Sequence, residues 1–570
     1  MSSTSVTGSG QELHRTIDWK GAFWVASGVP ALVLFSIGGI GGIGGTAAFA
    51  IWAVSMFLGF IQSFTYAEIA GIFPNKSGGA SVYGAAAWIK YGKFIAPLSV
   101  WCNWLAWTPV LSLGCAIAAG YILNGIAPIP GADSPAVVAW LADPANAAAI
   151  AGMTPEDAAA AAVGALTPAI QTWTLLSFEI EGFTSFSIGT PFFIGAILML
   201  IVFAIQHRGI LGTAKTQMVI GLVIVITMLI FGVVPLLQGK VSAANFSPMV
   251  PITGEWNLEG WTLVFGGLFI AAWSTYAFET SICYTREFKN PATDTFKAIF
   301  YSGLLCILIY ILVPFTFQGV LGVAGMTDPG VVAGTGVAAA MAHMIGGGPT
   351  LEGILVILMI FALLLAIMTA MAGSSRTLYQ GSVDGWLPRY LSHVNSHGAP
   401  TRAMWTDLCF NLILLTFAAS DAGSYYIILA LSNCGYIIFN FLNLHAGWIH
   451  RMDSGHVRRP YRAPTIILAL GAIFAFLNAF LMGAGAAVWD LNPEVGIDPL
   501  WGGLIAAALI IPVFWYRHYV QDGGKFPAQM MEDLGLKEGQ GLGERKAGVL
   551  PYVVLAAGLA VVLIAKWIVG

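Results

Sequence analysis

The feature that most limits what this chain can fold into is a recurring one. Again and again about 20 residues pass with almost no charge, the length a helix needs to cross the hydrocarbon core of a bilayer. Such runs fall at 19–37, 47–73, 95–124, 190–206, 216–238, 260–284, 297–323, 351–375, 403–419, 424–446, 464–487, 499–516 and 549–569, which predicts twelve spans and a thirteenth. With 57% hydrophobic and 9% charged residues and a mean hydropathy of +0.80, soluble globular packing is excluded. The expected fold class is an all-α polytopic membrane protein.

Basic residues set the expected orientation. If the N-terminus is cytoplasmic, 22 of the 24 Lys and Arg residues fall on the inner side, leaving Lys240 and Lys566 outside. Lys and Arg are retained in cytoplasmic loops during insertion, so a plasma (cell inner) membrane protein with a cytoplasmic N-terminus is expected. Residues 1–18 are polar and the first apolar run is full length, so that run reads as a span and not as a cleaved leader. Cys102, Cys115, Cys283, Cys306, Cys409 and Cys434 all lie in apolar runs without metal-ligand spacing, and are expected to be core residues. No metal, cofactor or nucleic-acid partner is expected; the lipid bilayer is. Residues 126–189 depart from the pattern, being rich in Ala and Pro with six acids and no Lys or Arg. Thr154-Pro155 before an Ala run signals a helix start, and the span count puts this acidic insertion outside.

Two spans are interrupted near their middles. In the first, Ser27, Gly28, Val29, Pro30 and Ala31 combine a flexible residue with one that lacks an N–H, which should strand the carbonyl of Ala26. In the sixth, Trp273, Ser274, Thr275, Tyr276 and Ala277 make a polar-aromatic knot, with Glu279 just beyond. An unpaired peptide group in hydrocarbon costs several kcal/mol, so such breaks are tolerable where they face protein or a cavity that holds a solute. These ten residues are the first candidates for substrate contact.

Other polar points lie along the spans. Asn103, Trp107 and Leu111 share one helical face in the third span, Trp104 and Thr108 another; Asn103 and Trp107 join the substrate candidates. Glu68 sits inside the cytoplasmic end of the second span, where a basic residue of an inner loop would pair with it. Arg286, Glu287, Lys289 and Asp294 form a balanced cluster suited to locking the inner side. The eighth span has Thr369 as its mid-span hydroxyl. Asp407, near the cytoplasmic end of the ninth, is expected to pair with a cation. The glycine run Gly38–Gly45 is read as the outer turn after the first span, and as a place where helices approach closely.

Four stretches, in order, resemble the amino acid–polyamine–organocation (APC) superfamily: Tyr66-Ala67-Glu68 with Phe73-Pro74 and Ser77-Gly78-Gly79; Ala277-Phe278-Glu279 with Lys289-Asn290-Pro291; Ser375-Arg376 with Asp384-Gly385-Trp386-Leu387-Pro388; and Arg459-Pro460-Tyr461-Arg462-Ala463-Pro464. Together they cover about residues 15–520. The resemblance implies two inverted five-helix repeats (5+5), over 19–238 and 260–446, with discontinuous helices 1 and 6 meeting at the bilayer midplane. Beyond them would come helices 11 and 12 (464–516), a cytoplasmic loop (517–548) and helix 13 (549–570). It also implies that N–H groups at the first break hold a substrate carboxylate and that carbonyls at both breaks hold its amine. Glu68, Glu279, Arg286, Arg376 and Asp384 are the candidates for a gating network on the inner side. Two departures stand out: Gly28-Val29-Pro30 replaces the usual Gly-x-Gly, and Ala277 replaces a Gly.

The implied activity is secondary active or exchange transport of an amino acid or small organic amine by alternating access, not enzymatic chemistry. A ligand-gated channel or substrate-sensing receptor of the same fold is the alternative. Trp273 would act as a movable lid, with Trp107 and Tyr276 shaping the pocket. Coupling to H+ or Na+ has no evident seat: counting from Arg208-Gly209 places Ile224 where relatives carry a Lys, and counting back from Ser375-Arg376 places Ala366 and Ile367 where hydroxyls would hold sodium. Thr369 keeps sodium open, and neither substrate identity nor oligomeric state is legible.

Overall fold

In the computed structural model, residues 13–569 are described except 133, 181–183, 421, 491–497 and 534–544. Most of the N-terminal tail, Asp133 and Glu181 of the insertion, Lys537 and Gly570 therefore lie outside the described residues. The chain is a helical bundle. Its membrane-level helices are α1 (Trp19–Val25 continued by Ile37–Gly44), α2 (Ala48–Ile72), α3 (Ile95–Ile126), α4 (Thr190–Gln206), α5 (Ile210–Leu237), α6 (Leu258–Thr275), α7 (Pro291–Met326), α8 (Pro349–Val383), α9 (Thr401–Ala418), α10 (Ala422–Asp453), α11 (Thr465–Gly485), α12 (Pro499–Gln521) and α13 (Leu550–Val569). Among the described residues, ten helical stretches are long and apolar enough to cross a membrane, the first of them spanning both α1 and α2. The protein is a multi-pass membrane protein.

Burial sorts these helices into centre and rim. The most hydrophobic window of α1 and α2 is 89% buried and that of α10 is 83%, whereas α5 and α13 are 33% and 17% buried. A helix apolar on all sides yet exposed faces lipid, so α5 and α13 sit at the periphery and α1, α6 and α10 in the middle. Pro109 interrupts α3 without ending it, since helix resumes at Val110.

Two local expectations need correction. The glycine run is not a turn: Ile37–Gly44 is helical. Propensity is overridden here by packing, because a Cβ on Gly38 would lie 2.0 Å from the carbonyl oxygen of Val331 and one on Gly39 2.6 Å from the Tyr426 hydroxyl. Only a glycine face lets α1 pass that close to its neighbours. The insertion, in turn, holds more than the helix its Thr154-Pro155 start announces. Helix does begin at Pro155, capped by the Thr154 hydroxyl accepting from the Asp157 N–H, but Thr174–Ile180 and Thr184–Gly189 pair as an antiparallel hairpin. Its alternating residues carry period-2 patterning that a reading tuned to apolar runs passes over.

Candidate functional site

The site is built where α1 and α6 lose their helical bonding. Asp18 starts α1 by accepting the Gly21 N–H at 3.0 Å. After Val25 the chain tightens into a 3-10 segment, Val29–Phe35. The carbonyl stranded by this change is not that of Ala26, as the proline predicts, because Ala26 accepts the Val29 N–H at 3.0 Å. The tighter i→i+3 bonding shifts the vacancy one residue back. Val25 O instead accepts the Thr369 hydroxyl of α8 at 2.7 Å and the Gln217 amide of α5 at 3.1 Å. The Gly28 N–H donates to the same Thr369 Oγ1 at 3.2 Å, and Gln217 Nε2 reaches it at 3.0 Å.

In α6, helix gives way after Thr275 to the 3-10 segment Ala277–Ile282. Side chains stitch the two breaks together. The Tyr310 hydroxyl of α7 reaches Val29 O at 2.6 Å and Ser274 O at 3.1 Å, and Ser274 Oγ donates to Leu32 O at 3.3 Å. Trp52 stacks on Tyr310 with ring centres 5.6 Å apart, which holds that hydroxyl in place. Every residue from Ser27 to Ala31 and from Trp273 to Ala277 is buried, so the joint is closed towards both ends of the bundle.

The predicted residues divide by where they point. Trp273 donates from Nε1 to Ser432 Oγ at 2.9 Å and Ala106 O at 3.1 Å, and its ring lies 5.7 Å from that of Phe35 in the α1 break. Trp107 donates to Glu279 Oε1 at 3.0 Å. Glu279 Oε2 has no hydrogen-bond partner; the Ala80 N–H and the Asn103 amide face it outside bonding geometry. Asn103 Oδ1 instead accepts the Thr377 hydroxyl at 2.9 Å. Thr275 and Tyr276 turn from the α1 break: Thr275 Oγ1 shares a proton with Ser55 of α2 at 2.7 Å, and the Tyr276 hydroxyl donates to Asn478 of α11 at 3.0 Å. Around the joint the wall is apolar, since Gly114 packs closely on Ile367 and Phe35.

At the bundle end that carries most basic residues, two buried ion pairs and a third, part-buried one tie the helices. Arg376 of α8 grips Glu287 with two bonds, Nε to Oε2 at 2.6 Å and Nη2 to Oε1 at 3.0 Å. Lys76 meets Asp384 at 2.6 Å, and Gln380 Nε2 donates to the same carboxylate. Glu68 receives Arg451 at 2.6 Å and the Ala463 N–H at 2.8 Å, while Arg459 Nε stands 3.1 Å away without hydrogen-bond alignment. Arg15 adds a strap, donating to Asn75 Oδ1 and to the carbonyls of Pro74 and Phe288. Arg286 is half-buried in the segment that presents Glu287. The proposed four-charge cluster is divided, because Glu287 goes to Arg376 and Asp294 accepts the Asn290 N–H at 3.1 Å.

Asp407 is a correction. No cation pairs with it among the described residues; Trp104 Nε1 at 2.6 Å, Thr108 Oγ1 at 2.9 Å and the Ser374 hydroxyl donate to it. It joins α3, α8 and α9 as a buried polar clamp. Sequence reasoning also missed Gln217, Tyr310 and Phe35, whereas Ser432 stands out in the sequence, with Asn433 and Asn440, as a polar point of the tenth span. Gln217 is a polar residue inside an apolar span, two turns before Ile224, and that signal was present. Ile224 itself faces Leu355, Met359 and Ala362.

With this geometry in view, the comparisons with known proteins converge. Residues 17–495 match the family described as "Amino acid permease". The chain belongs to that family. It is 25% identical over 291 residues to the branched-chain amino acid permease BcaP of Bacillus subtilis, covering 50% of this chain and 58% of that one. It is 21% identical over 225 residues to BcaP of Lactococcus lactis (39% and 47% covered) and 27% identical over 228 residues to human solute carrier family 7 member 13 (39% and 44% covered). The matched stretches thus span about half the length of these curated relatives.

Proposed function

We propose that this protein is a secondary transporter that carries a neutral amino acid across the plasma membrane by alternating access, with the basic end of the bundle facing the cytoplasm. The observation that carries the reading is the meeting of two interrupted helices whose backbone groups, at Val25, Gly28, Val29, Leu32 and Ser274, are held by side chains of other helices. A substrate's ammonium and carboxylate compete for those same groups, replacing internal bonds with its own. The surrounding Phe35, Gly114, Trp273 and Ile367 offer no charge, which favours an aliphatic side chain. The permease relatives named for branched-chain amino acids point the same way.

In this mechanism Gly28 and Tyr276 are the joints about which the half-helices swing. Opening towards the cytoplasm parts Arg376 from Glu287 and releases the Arg15 strap; opening outward frees the end of the 3-10 segment Val29–Phe35 from Tyr425, whose hydroxyl donates to Phe35 O at 3.1 Å. Trp273 moves as the lid. In the closed form the Thr369 hydroxyl donates to Val25 O and accepts from Gly28 and Gln217, so it has no oxygen lone pair for sodium until a substrate displaces the Gly28 bond. Glu279, with one free oxygen and no ion pair among the described residues, is the group we assign to exchange a proton during the cycle. The test is uptake of labelled leucine, isoleucine and valine by purified protein in proteoliposomes. Saturable uptake competed by unlabelled substrate is expected; absence of uptake for every neutral amino acid would overturn the assignment.

A further inference from the structure

Away from the breaks, the bundle holds a cavity of about 430 Å³, inside the roughly 300–1,000 Å³ range of ligand sites. Five helices line it, α3, α10, α11, α12 and α13, through residues such as Leu98, Phe441, Met482, Ala508, Leu555 and Gly558. The lining is almost wholly apolar, so an amino acid's ammonium and carboxylate would have no partners there.

The cavity exists because α13 is held at its two ends and packs on α11 between them. At one end Lys566 pairs with Asp498 at 2.8 Å. At the other, the Ala547 N–H donates to Asp453 Oδ1 at 3.0 Å, Tyr91 donates to Asp453 Oδ2 at 2.8 Å, and the Tyr91 and Tyr552 rings meet edge to face. In the middle, α13 lies tight on α11, where a Cβ on Gly483 would come 2.3 Å from Val562 O. The side towards α3 and α12 is left open.

One end of the rim carries the Lys566–Asp498 pair, and the other carries two further cations. Lys93, exposed, adjoins the lining residue Phe94 and sits 5.7 Å from the Phe526 ring. Arg545, also exposed, reaches the Tyr552 hydroxyl at 3.5 Å, one turn before the lining residue Leu555. The acid there, Asp453, is already engaged by two donors. We propose that this cavity takes an acyl chain of an anionic phospholipid, whose phosphate is held between Lys93 and Arg545, so that α13 and a bound lipid together seal this flank of the bundle. An apolar slot at membrane depth with cations at one mouth matches the two halves of such a lipid.

Native mass spectrometry of the full-length protein tests this, together with binding of phosphatidylglycerol and phosphatidylcholine to delipidated protein. Wild type should retain a glycerophospholipid and prefer phosphatidylglycerol. Ala508→Phe, which fills the slot, should lose the adduct. Lys93→Gln/Arg545→Gln should bind phosphatidylglycerol about thirtyfold more weakly, two cations' worth of attraction, with phosphatidylcholine unchanged. The double variant changes only exposed side chains, so it carries the test if Ala508→Phe does not fold. The proposal is overturned if Ala508→Phe keeps its lipid, if the two lipids bind wild type equally, or if a second copy of the chain occupies this flank.

Discussion

Glu287→Gln is the sharpest probe of how the basic end closes. In the closed form Glu287 and Arg376 are both almost fully buried and share two charge-assisted bonds, with Tyr284 5.5 Å from the guanidinium. Removing one partner of a buried ion pair costs about 3–5 kcal/mol. Glutamine keeps one neutral acceptor, so the lower end applies, about 3 kcal/mol, or roughly a hundredfold in an equilibrium constant. If the pair belongs to the closed form alone, the whole cost falls there and the population moves towards inward-open. Cys283 is a built-in reporter, buried beside Gly79 beneath the α6 break. With the exposed Cys409 replaced by Ser, the rate at which a maleimide applied from the cytoplasmic side labels Cys283 should rise by up to about a hundredfold. Arg376→Met/Glu287→Leu replaces the pair by apolar packing, which is often near neutral, and should restore slow labelling. A variant that melts at lower temperature yet labels Cys283 at the wild-type rate would refute the gate, since the pair would then persist in both states.

Further outcomes follow from the same geometry. A Cβ on Gly28 would lie 2.4 Å from the Leu365 carbonyl oxygen, so Gly28→Ala should abolish uptake while protein of normal monodispersity is still recovered, as checked by size-exclusion chromatography. Trp273→Ala removes the bonds to Ser432 and Ala106 and the contact with Phe35, and should cut initial uptake at least tenfold, or about 1.4 kcal/mol, with Trp273→Phe intermediate; normal kinetics would remove the lid. Glu279→Gln should make uptake insensitive to an imposed proton gradient while exchange of internal for external substrate continues.

What the chain discloses on its own follows from which physical signals are local. Apolar length is local, and the helices fall close to the runs that announce them: the run at 549–569 meets helix Leu550–Val569, and that at 190–206 meets Thr190–Gln206. The breaks were also legible, because Gly28, Pro30 and the Trp273–Tyr276 knot are poor helix interior. What completes the site was not. Gln217 and Tyr310 each look like a lone polar residue in a span and Ser432 like one of several polar points in its own, and only the packing of α5, α7 and α10 against α1 and α6 aims them at the joint. Tyr276 erred the other way: adjacent to Thr275 in sequence, its hydroxyl lands on Asn478 of α11. The glycine run misled because Gly38 reads as a turn until Val331 is seen against it.

The central claim is that a small solute is gripped where α1 and α6 come apart and is passed across by reorienting that grip. Counterflow measures this directly: proteoliposomes preloaded with unlabelled leucine are diluted into a trace of labelled leucine, and internal label is followed with time. A carrier should accumulate label transiently above the external level, and Gly28→Ala, which jams the α1 joint, should abolish the overshoot. Label that only equilibrates, whatever the preload, or an overshoot untouched by Gly28→Ala, would contradict the account.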